Sequence, residues 1–232
     1  MTQTRIRTAD LPLRRLLVPT TALTLGAALV LGAAASARAQ DDGTEAAAGI
    51  DGTWVVDTSI GSYDDFSNSW AGFRVAEVLD PGGENVAVGR TPDVSGQLEA
   101  SGSVIEEFAI EVDLTSLTTD NNFRNGAIQR SLGTDQHPTA TFVSTEPVDL
   151  GAVPSDGDTF DISVPGTLTI RDMSEDVVVE MQGGRGGESV AVVGTWPIEF
   201  GTFGVSMPSA PIVASVSENG DLEWQLFFRR DS

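Results

Sequence analysis

A regular alternation of apolar and polar residues in the middle of the chain constrains the fold more than any other feature. The apolar positions are Phe108, Ile110, Val112 and Leu114, and small or acidic residues separate them. Because successive side chains of a strand point to opposite faces, this pattern predicts a strand with one fully apolar face. Phe108 and Leu114 are six steps apart, so the pattern would extend over roughly 20 Å at about 3.4 Å per residue, which is long for a strand.

A polar insert follows this strand and carries the one helix that the sequence predicts. The insert covers residues 118–132, and its composition permits a helix. After it, Pro138 favours an extended backbone at His137, so residues 139–144 are predicted to form a return strand. The order of long strand, short helix and return strand is specific, and the other segments are predicted to add strands to the same sheet.

The remaining segments have the short, regular spacing that is typical of an all-β barrel or sandwich. We predict about nine or ten strands and one short helical insert. Asn219-Gly220 is the strongest two-residue hairpin signal, since both residues tolerate positive φ. The glycines at 183–187 are predicted to form a flexible hairpin turn, and Pro165-Gly166 to mark a bulge or bend. Closing the sheet would remove its exposed edges. A second apolar row for the interior comprises Leu222, Trp224, Leu226 and Phe228.

The first 39 residues are typical of a secretory signal peptide. Arginines precede an apolar run at 22–35, and Ala37-Arg38-Ala39 before Gln40 fits a cleavage site between small residues. The alternative is an uncleaved membrane anchor, because residues 16–37 carry no charge and are long enough to span a bilayer. Both alternatives place the rest of the chain outside the cytoplasm, either secreted or in the cell envelope.

The exported part is predicted to be one domain after a short linker. Residues 40–51 are acidic and rich in alanine, which predicts a disordered linker, and residues 52–230 are predicted to form the barrel domain. The leader carries five arginines and one aspartate, so its removal changes the net charge from −21 to −25. Such a charge argues against nucleic acids and anionic membrane surfaces as partners. The chain has no cysteine, so a core and not disulfides must stabilise it.

The sequence contains few groups that could perform catalysis. His137 is the only histidine, it stands beside Pro138, and the chain has no Gly-x-Ser-x-Gly motif. Without cysteine, and with one histidine, a zinc site would lack its usual ligands. We therefore predict no catalytic residue and no metal site. Carboxylates are plentiful, so an extracytoplasmic hydrolase with paired carboxylates remains an alternative.

Arg124 is the one charged residue of the insert for which the sequence allows two roles. It stands between Phe123 and Asn125. In the first interpretation it is a surface arginine, or one that pairs with an acidic residue and holds the insert in place. In the second it lies at the mouth of a cavity and binds the headgroup of a ligand.

Five short motifs stand in a fixed order along residues 53–228. They are Trp54-Val55-Val56-Asp57, residues 115–119, residues 137–142, residues 166–170 and Phe203-Gly204-Val205. Their order and spacing make this part of the chain similar to the YceI-like family, exported lipid-binding proteins with an extended, lipocalin-like antiparallel β-barrel. Two positions differ from the usual pattern of that family. Asn125 follows Arg124 where the family usually has aspartate, which weakens an inherited ion pair, and Asp172 stands where glycine is frequent.

The resemblance implies a binding or carrier protein that is not an enzyme and needs no cofactor. Its ligand would be a long apolar molecule inside the barrel, a polyisoprenoid or an isoprenoid quinone, and barrels of about eight strands can enclose one such ligand. A ligand-free structural or adhesion module with a filled core is the second alternative, and a homodimer stays open. The candidate ligand-binding residues are Phe108, Ile110, Val112, Leu114, Phe123, Arg124, Ile128, Phe142, Leu168 and Ile170. Of these, Leu168 and Ile170 are expected to form a second wall beside the β-strand at 108–114, and Phe123 and Ile128 of the insert to close one end of the barrel.

Overall fold

The structure, a computed structural model, describes residues 49–208 and 212–231. Most of this part of the chain forms strands. This part contains twelve strands, one α-helix and two short 3₁₀ helices. The helix is α1 (Asn122–Leu132). The strands are β1 (Gly52–Val56), β2 (Trp70–Leu79), β3 (Gly83–Thr91), β4 (Val94–Ser101), β5 (Val104–Asp113), β6 (Thr118–Thr119), β7 (Thr139–Ser144), β8 (Val148–Asp149), β9 (Thr159–Ile170), β10 (Met173–Gly186), β11 (Ser189–Glu199) and β12 (Val213–Arg230).

Eight of these strands close into an antiparallel barrel, which confirms the predicted fold class. The order around the barrel is β1, β4, β5, β7, β9, β10, β11 and β12, and β1 pairs with β12 to complete the circle. Strand β12 is long enough to pair with two strands along one edge. Its C-terminal end pairs with β1, and residues 213–225 pair with β2, which continues the sheet through β3 to β6.

The apolar face of β5 points into the barrel, as its alternation predicts. Phe108 and Ile110 are buried, whereas Glu107 and Glu111 are exposed. Ile105 is buried too, although it lies three residues before Phe108. The register against β4 shifts between Glu99 and Ala100, so an irregularity in the pairing allows both side chains to face inward.

One half of the barrel interior is a filled core. Trp54, Val164 and Phe228 are almost completely buried there. The other half holds two smaller groups of buried side chains, one around Leu168 and one around Leu114. The interior is therefore packed differently at its two ends.

Residues just before the predicted domain boundary at Gly52 already contact the core. Ile50 is buried, and its carbonyl oxygen accepts a hydrogen bond of 2.8 Å from the indole N–H of Trp54. Because this contact joins residues 49–51 to the core, the prediction of a linker over 40–51 is wrong at its C-terminal end. Residues 40–48 of that linker, and the leader 1–39 with its alternative as an anchor, lie outside the described residues.

The helix starts later than the predicted insert. The side-chain oxygen of Asn121 accepts hydrogen bonds from the backbone N–H groups of Phe123 and Arg124, so Asn121 caps the helix. Residues 118–119 instead pair with β3 as a short strand. Gly133 adopts a φ of 66° and ends the helix. No helix among the described residues is long and apolar enough to span a bilayer.

Asn219-Gly220 does not form the predicted hairpin. The two residues lie inside β12, where Gly220 pairs with Val75 of β2 and Ile198 of β11. The register against β2 shifts between Val216 and Gly220, so the extra residues form an irregularity in a continuous strand. Pairing with a neighbour on each side favours this strand over the local turn preference.

The glycines at 183–187 also lie mostly in a strand and not in the predicted turn. Strand β10 continues to Gly186, and the turn to β11 contains only Gly187 and Glu188. The ring of Phe160 covers Gly183, where a Cβ atom would lie 2.2 Å from it. The absence of a side chain thus allows an aromatic ring from the paired strand to pack on the backbone.

Pro165-Gly166 neither bulges nor bends β9, contrary to the prediction. Both residues keep regular register with β10. The carbonyl oxygen of Pro165 accepts a hydrogen bond of 3.0 Å from the backbone N–H of Thr145. In a strand, the N and C=O groups of one residue point to the same side. The N atom of Pro165 therefore faces the end of β7, and its lack of a hydrogen costs no hydrogen bond to β10.

Replacing Gly166 by alanine is expected to destabilise the barrel by about 1–3 kcal/mol. A Cβ atom there would lie 2.4 Å from the ring of Phe142 and 2.7 Å from the carbonyl oxygen of Val143. The direction of the change in stability is diagnostic, because alanine in a strand is otherwise about 0.5–1 kcal/mol more favourable than glycine. Urea unfolding measures the change. Gly201→Ala is the control, since no atom lies within 4 Å of its Cβ position, and an unchanged midpoint for Gly166→Ala would contradict the close packing.

Candidate ligand-binding cavity

An apolar cavity lies inside the barrel, next to the filled half of the core. The space open to the centre of a water-sized sphere is about 150 Å³. Among the described lining residues, four carry a side-chain nitrogen or oxygen: Thr141, Trp196, Glu223 and Trp224. The other lining residues are Ala71, Gly72, Phe73, Phe108, Ile110, Val112, Leu114, Leu117, Leu132, Ala140, Phe142, Leu168, Ile170, Val179, Met181, Phe200, Val205, Leu222 and Leu226.

Seven of the ten predicted site residues line this cavity together. They come from β5, β7 and β9 or follow β5 directly, and these strands are neighbours, so the seven form one continuous wall. Leu168 and Ile170 of β9 line the cavity as predicted, and β7 connects the wall that they form to the wall on β5. The seven are Phe108, Ile110, Val112, Leu114, Phe142, Leu168 and Ile170.

The opposite wall was only partly visible in the sequence. It comes from β2, β11 and β12, and its apolar row on β12 is the one that alternation identifies at Leu222, Trp224 and Leu226. Phe73 and Trp196 complete it. The alternation of β11 around Trp196 marks it as a strand residue, but no local signal tells which strand faces β5 across the barrel.

Aromatic rings separate the cavity from the filled half of the barrel. The ring of Phe108 lies 6.0 Å from that of Phe142 and 6.0 Å from that of Phe228, measured between centroids. Phe228 is fully buried, whereas Phe108 and Phe142 also line the cavity. Phe108 thus forms the boundary between the packed and the open half.

The helix borders the other end of the cavity through Leu132. Ile128 is buried against Leu114 and Leu117 and supports this end without lining the cavity. Phe123 does not contribute, because its side chain is 93% exposed, and its predicted role in closing the barrel is wrong. Phe123 and Leu132 are nine positions apart, and nine steps of about 100° place them on opposite faces of the helix.

Arg124 lies in an ion pair and is not among the lining residues. Its guanidinium contacts the carboxylate of Glu77 at 2.6 Å and also pairs with Asp120. Glu77 is buried and accepts a further hydrogen bond of 2.7 Å from the side-chain amide of Asn85. This geometry agrees with the first interpretation, in which an acidic partner holds the insert in place. The partner comes from β2, so Asn125 does not prevent the pair.

Charged groups near the cavity are paired with one another. The carboxylate of Glu223 accepts hydrogen bonds from Arg74 at 2.8 Å and from Arg90 at 3.4 Å. His137 is not among the lining residues. Within the described part of the chain, no three histidine, cysteine or acidic side chains are grouped so that they could hold a metal ion. The lining that the structure describes can therefore enclose an apolar molecule.

Comparisons with known proteins agree with this architecture. The family model for the YceI-like domain matches residues 64–228. A polyisoprenoid binding domain from Saccharophagus degradans, implicated in plant cell wall breakdown, is similar in structure with a TM-score of 0.58 and 15% identity, over 77% of this chain and 98% of that one. Burkholderia cenocepacia BcnA gives 0.53 and 19%, over 68% and 94%. The Campylobacter jejuni YCEI protein gives 0.50 and 16%, over 62% and 85%. No curated protein sequence matches the chain. At these identities the structural likeness shows the fold.

Proposed function

The chain belongs to the YceI-like domain family, and from this premise we propose that it is an exported carrier of one long apolar molecule. The ligand is a polyisoprenoid or an isoprenoid quinone, held inside the barrel and left chemically unchanged. The polyisoprenoid-binding domain with the same fold supports this class of ligand. The leader supports export, with the mature protein beginning at Gln40.

The apolar cavity is the observation that carries the proposal. Its wall on β5 and the following residue extends from Phe108 to Leu114, a distance of roughly 20 Å at about 3.4 Å per residue. A narrow interior of this length suits an extended chain better than a compact molecule. Burying ten carbons of such a chain would contribute about 8 kcal/mol before the cost of association, enough for tight binding without any charged contact.

The two alternative functions have less support. A hydrolase with paired carboxylates needs two acidic groups beside its substrate, but the carboxylate of the one acidic lining residue, Glu223, is paired with two arginines. A structural module with a filled core needs close packing throughout, whereas only one half of this barrel is filled. The carrier function is therefore the one that the geometry favours.

Purified protein is expected to contain an extractable apolar lipid. Organic extraction followed by mass spectrometry identifies it, and protein stripped of lipid should take up added polyprenyl compounds at about one molecule per chain. The intact mass of the same preparation shows whether the chain starts at Gln40. Finding neither bound lipid nor uptake would overturn the carrier function, and turnover of ester or glycoside panels would favour the hydrolase.

A further inference from the structure

A single aromatic ring, that of Phe108, stands between the cavity and the filled half of the barrel. The side chain of Phe108 lines the cavity and is only 4% exposed. The ring of Phe228 lies 6.0 Å from it, between centroids, and is fully buried. Phe228 and Trp54 belong to the filled half and are not among the described lining residues. Phe108 therefore forms the floor of the cavity, the end that faces the filled half.

The ring of Phe108 is packed too closely to move aside. The ring of Phe142 meets it edge to face, with an angle of 65° between the ring planes, and Phe228 occupies the space behind it. Leu98, its partner on β4, is buried as well. The backbone is also fixed, because the N–H of Phe108 donates a hydrogen bond of 2.9 Å to the side-chain oxygen of Ser144. Since closely packed interiors resist displacement, a ligand meets Phe108 as a fixed wall.

An apolar chain inside the cavity can lengthen in one direction only. The barrel closes on itself through β1 and β12, so its walls are continuous, and Phe108 blocks the way into the filled half. The remaining direction leads to the helical end, where Leu132 borders the cavity. Each isoprene unit that fits between the two ends adds apolar burial and therefore affinity. Further units remain outside the barrel and add little.

We infer that Phe108 sets the number of isoprene units that the barrel encloses. The inference rests on the proposed carrier function and narrows its ligand class to isoprenoids with a chain, or a terminal segment, that fills the roughly 20 Å beside the β5 wall. Replacing phenylalanine by alanine removes six ring carbons, close to the five carbons of one isoprene unit. Phe108→Ala is therefore expected to make room for one further unit at the floor.

A series of prenols from geraniol to hexaprenol, each longer than the last by one isoprene unit, tests the inference. Displacement of the apolar fluorophore diphenylhexatriene gives the affinity of each prenol for the variant and for the wild type. The ratio of these two affinities is compared along the series, because the solubility of a prenol cancels within its own ratio. For Phe108→Ala the ratio should rise in one step, by at least about tenfold, at the first prenol that exceeds the wild-type capacity, and stay high for longer prenols.

Two further variants, each of which removes three carbons, keep the test independent of whether Phe108→Ala folds. Phe108→Leu removes them at the floor and should produce a smaller step at the same prenol. Leu222→Ala is the matched control, because Leu222 lines the cavity from β12 and packs against the group around Leu168 in the other half of the barrel. It should change the affinities without a step. Urea unfolding shows which variants are folded.

The possible outcomes separate the inference from the carrier function. If the wild type binds prenols but neither folded Phe108 variant shows a step, the inference is overturned and the carrier function stands. A step of the same size in Leu222→Ala would also overturn the inference, because the total volume of the cavity and not the position of Phe108 would then set the limit. Failure of the wild type to bind any prenol would overturn both.

Discussion

Replacing Ile110 by tryptophan is expected to weaken binding of the apolar ligand by about two orders of magnitude while the barrel still folds. Ile110 lies in the middle of the β5 wall and lines the cavity. Toward β4 it has no room, since a Cβ atom at Gly96 would lie 2.7 Å from its Cδ1. The larger indole must therefore extend into the cavity. Displacing four ligand carbons removes about 3 kcal/mol of apolar burial, so the affinity should fall by about 100-fold.

Val178→Trp is the matched control, because Val178 lies on the outer side of β10 and is 52% exposed. It should bind the ligand like the wild type. Uptake of a polyprenyl compound measures binding, and urea unfolding measures stability. If the interior were filled, Ile110→Trp would instead overpack it and lower the stability by about 1–3 kcal/mol. Wild-type uptake by Ile110→Trp would show that the ligand binds elsewhere.

Replacing Arg124 by methionine is expected to lower the free energy of unfolding by about 3 kcal/mol at neutral pH. The side chain of Glu77 is 4% exposed, and that of Arg124 is 17% exposed. Removing the guanidinium leaves a buried carboxylate with Asn85 as its remaining side-chain donor. A buried charge without its partner is more costly than the pair is stabilising, which makes this the largest stability effect expected among the ion pairs.

Two further variants separate this buried pair from the exposed one. Asp120 is 84% exposed, so Asp120→Asn should change the stability by less than about 0.5 kcal/mol. The double variant Glu77→Met with Arg124→Met should recover most of the loss, because no buried charge remains. If Arg124→Met were as stable as the wild type, the ion pair between Arg124 and Glu77 would not hold the insert in place.

The strands that face the cavity were predictable because their signal is local. Alternation with a period of two places Phe108 and Ile110 on one face, and burial of that face follows from the apolar side chains alone. The same reasoning identified the row at Leu222, Trp224 and Leu226 on β12. Seven of the predicted site residues therefore line one wall, even though the sequence does not show which strands meet.

The errors arose where a local preference competed with pairing across the sheet. Asn219-Gly220 favours a turn, but β2 and β11 pair on both sides of it and keep it in a strand. Gly183 similarly stays extended because the ring of Phe160 packs on it. At Phe123 the error has another cause, since its face depends on where Asn121 caps the helix.

The sequence by itself determined the all-β class, the inward face of β5, the short helical insert and the family, because each depends on residues that are close along the chain. Only the tertiary structure decided that eight strands close the barrel, that β12 pairs with both β1 and β2 along one edge, and that half of the interior is open. Whether an interior is filled depends on the summed volume and direction of side chains from strands far apart in the chain. No single stretch of the sequence contains that sum.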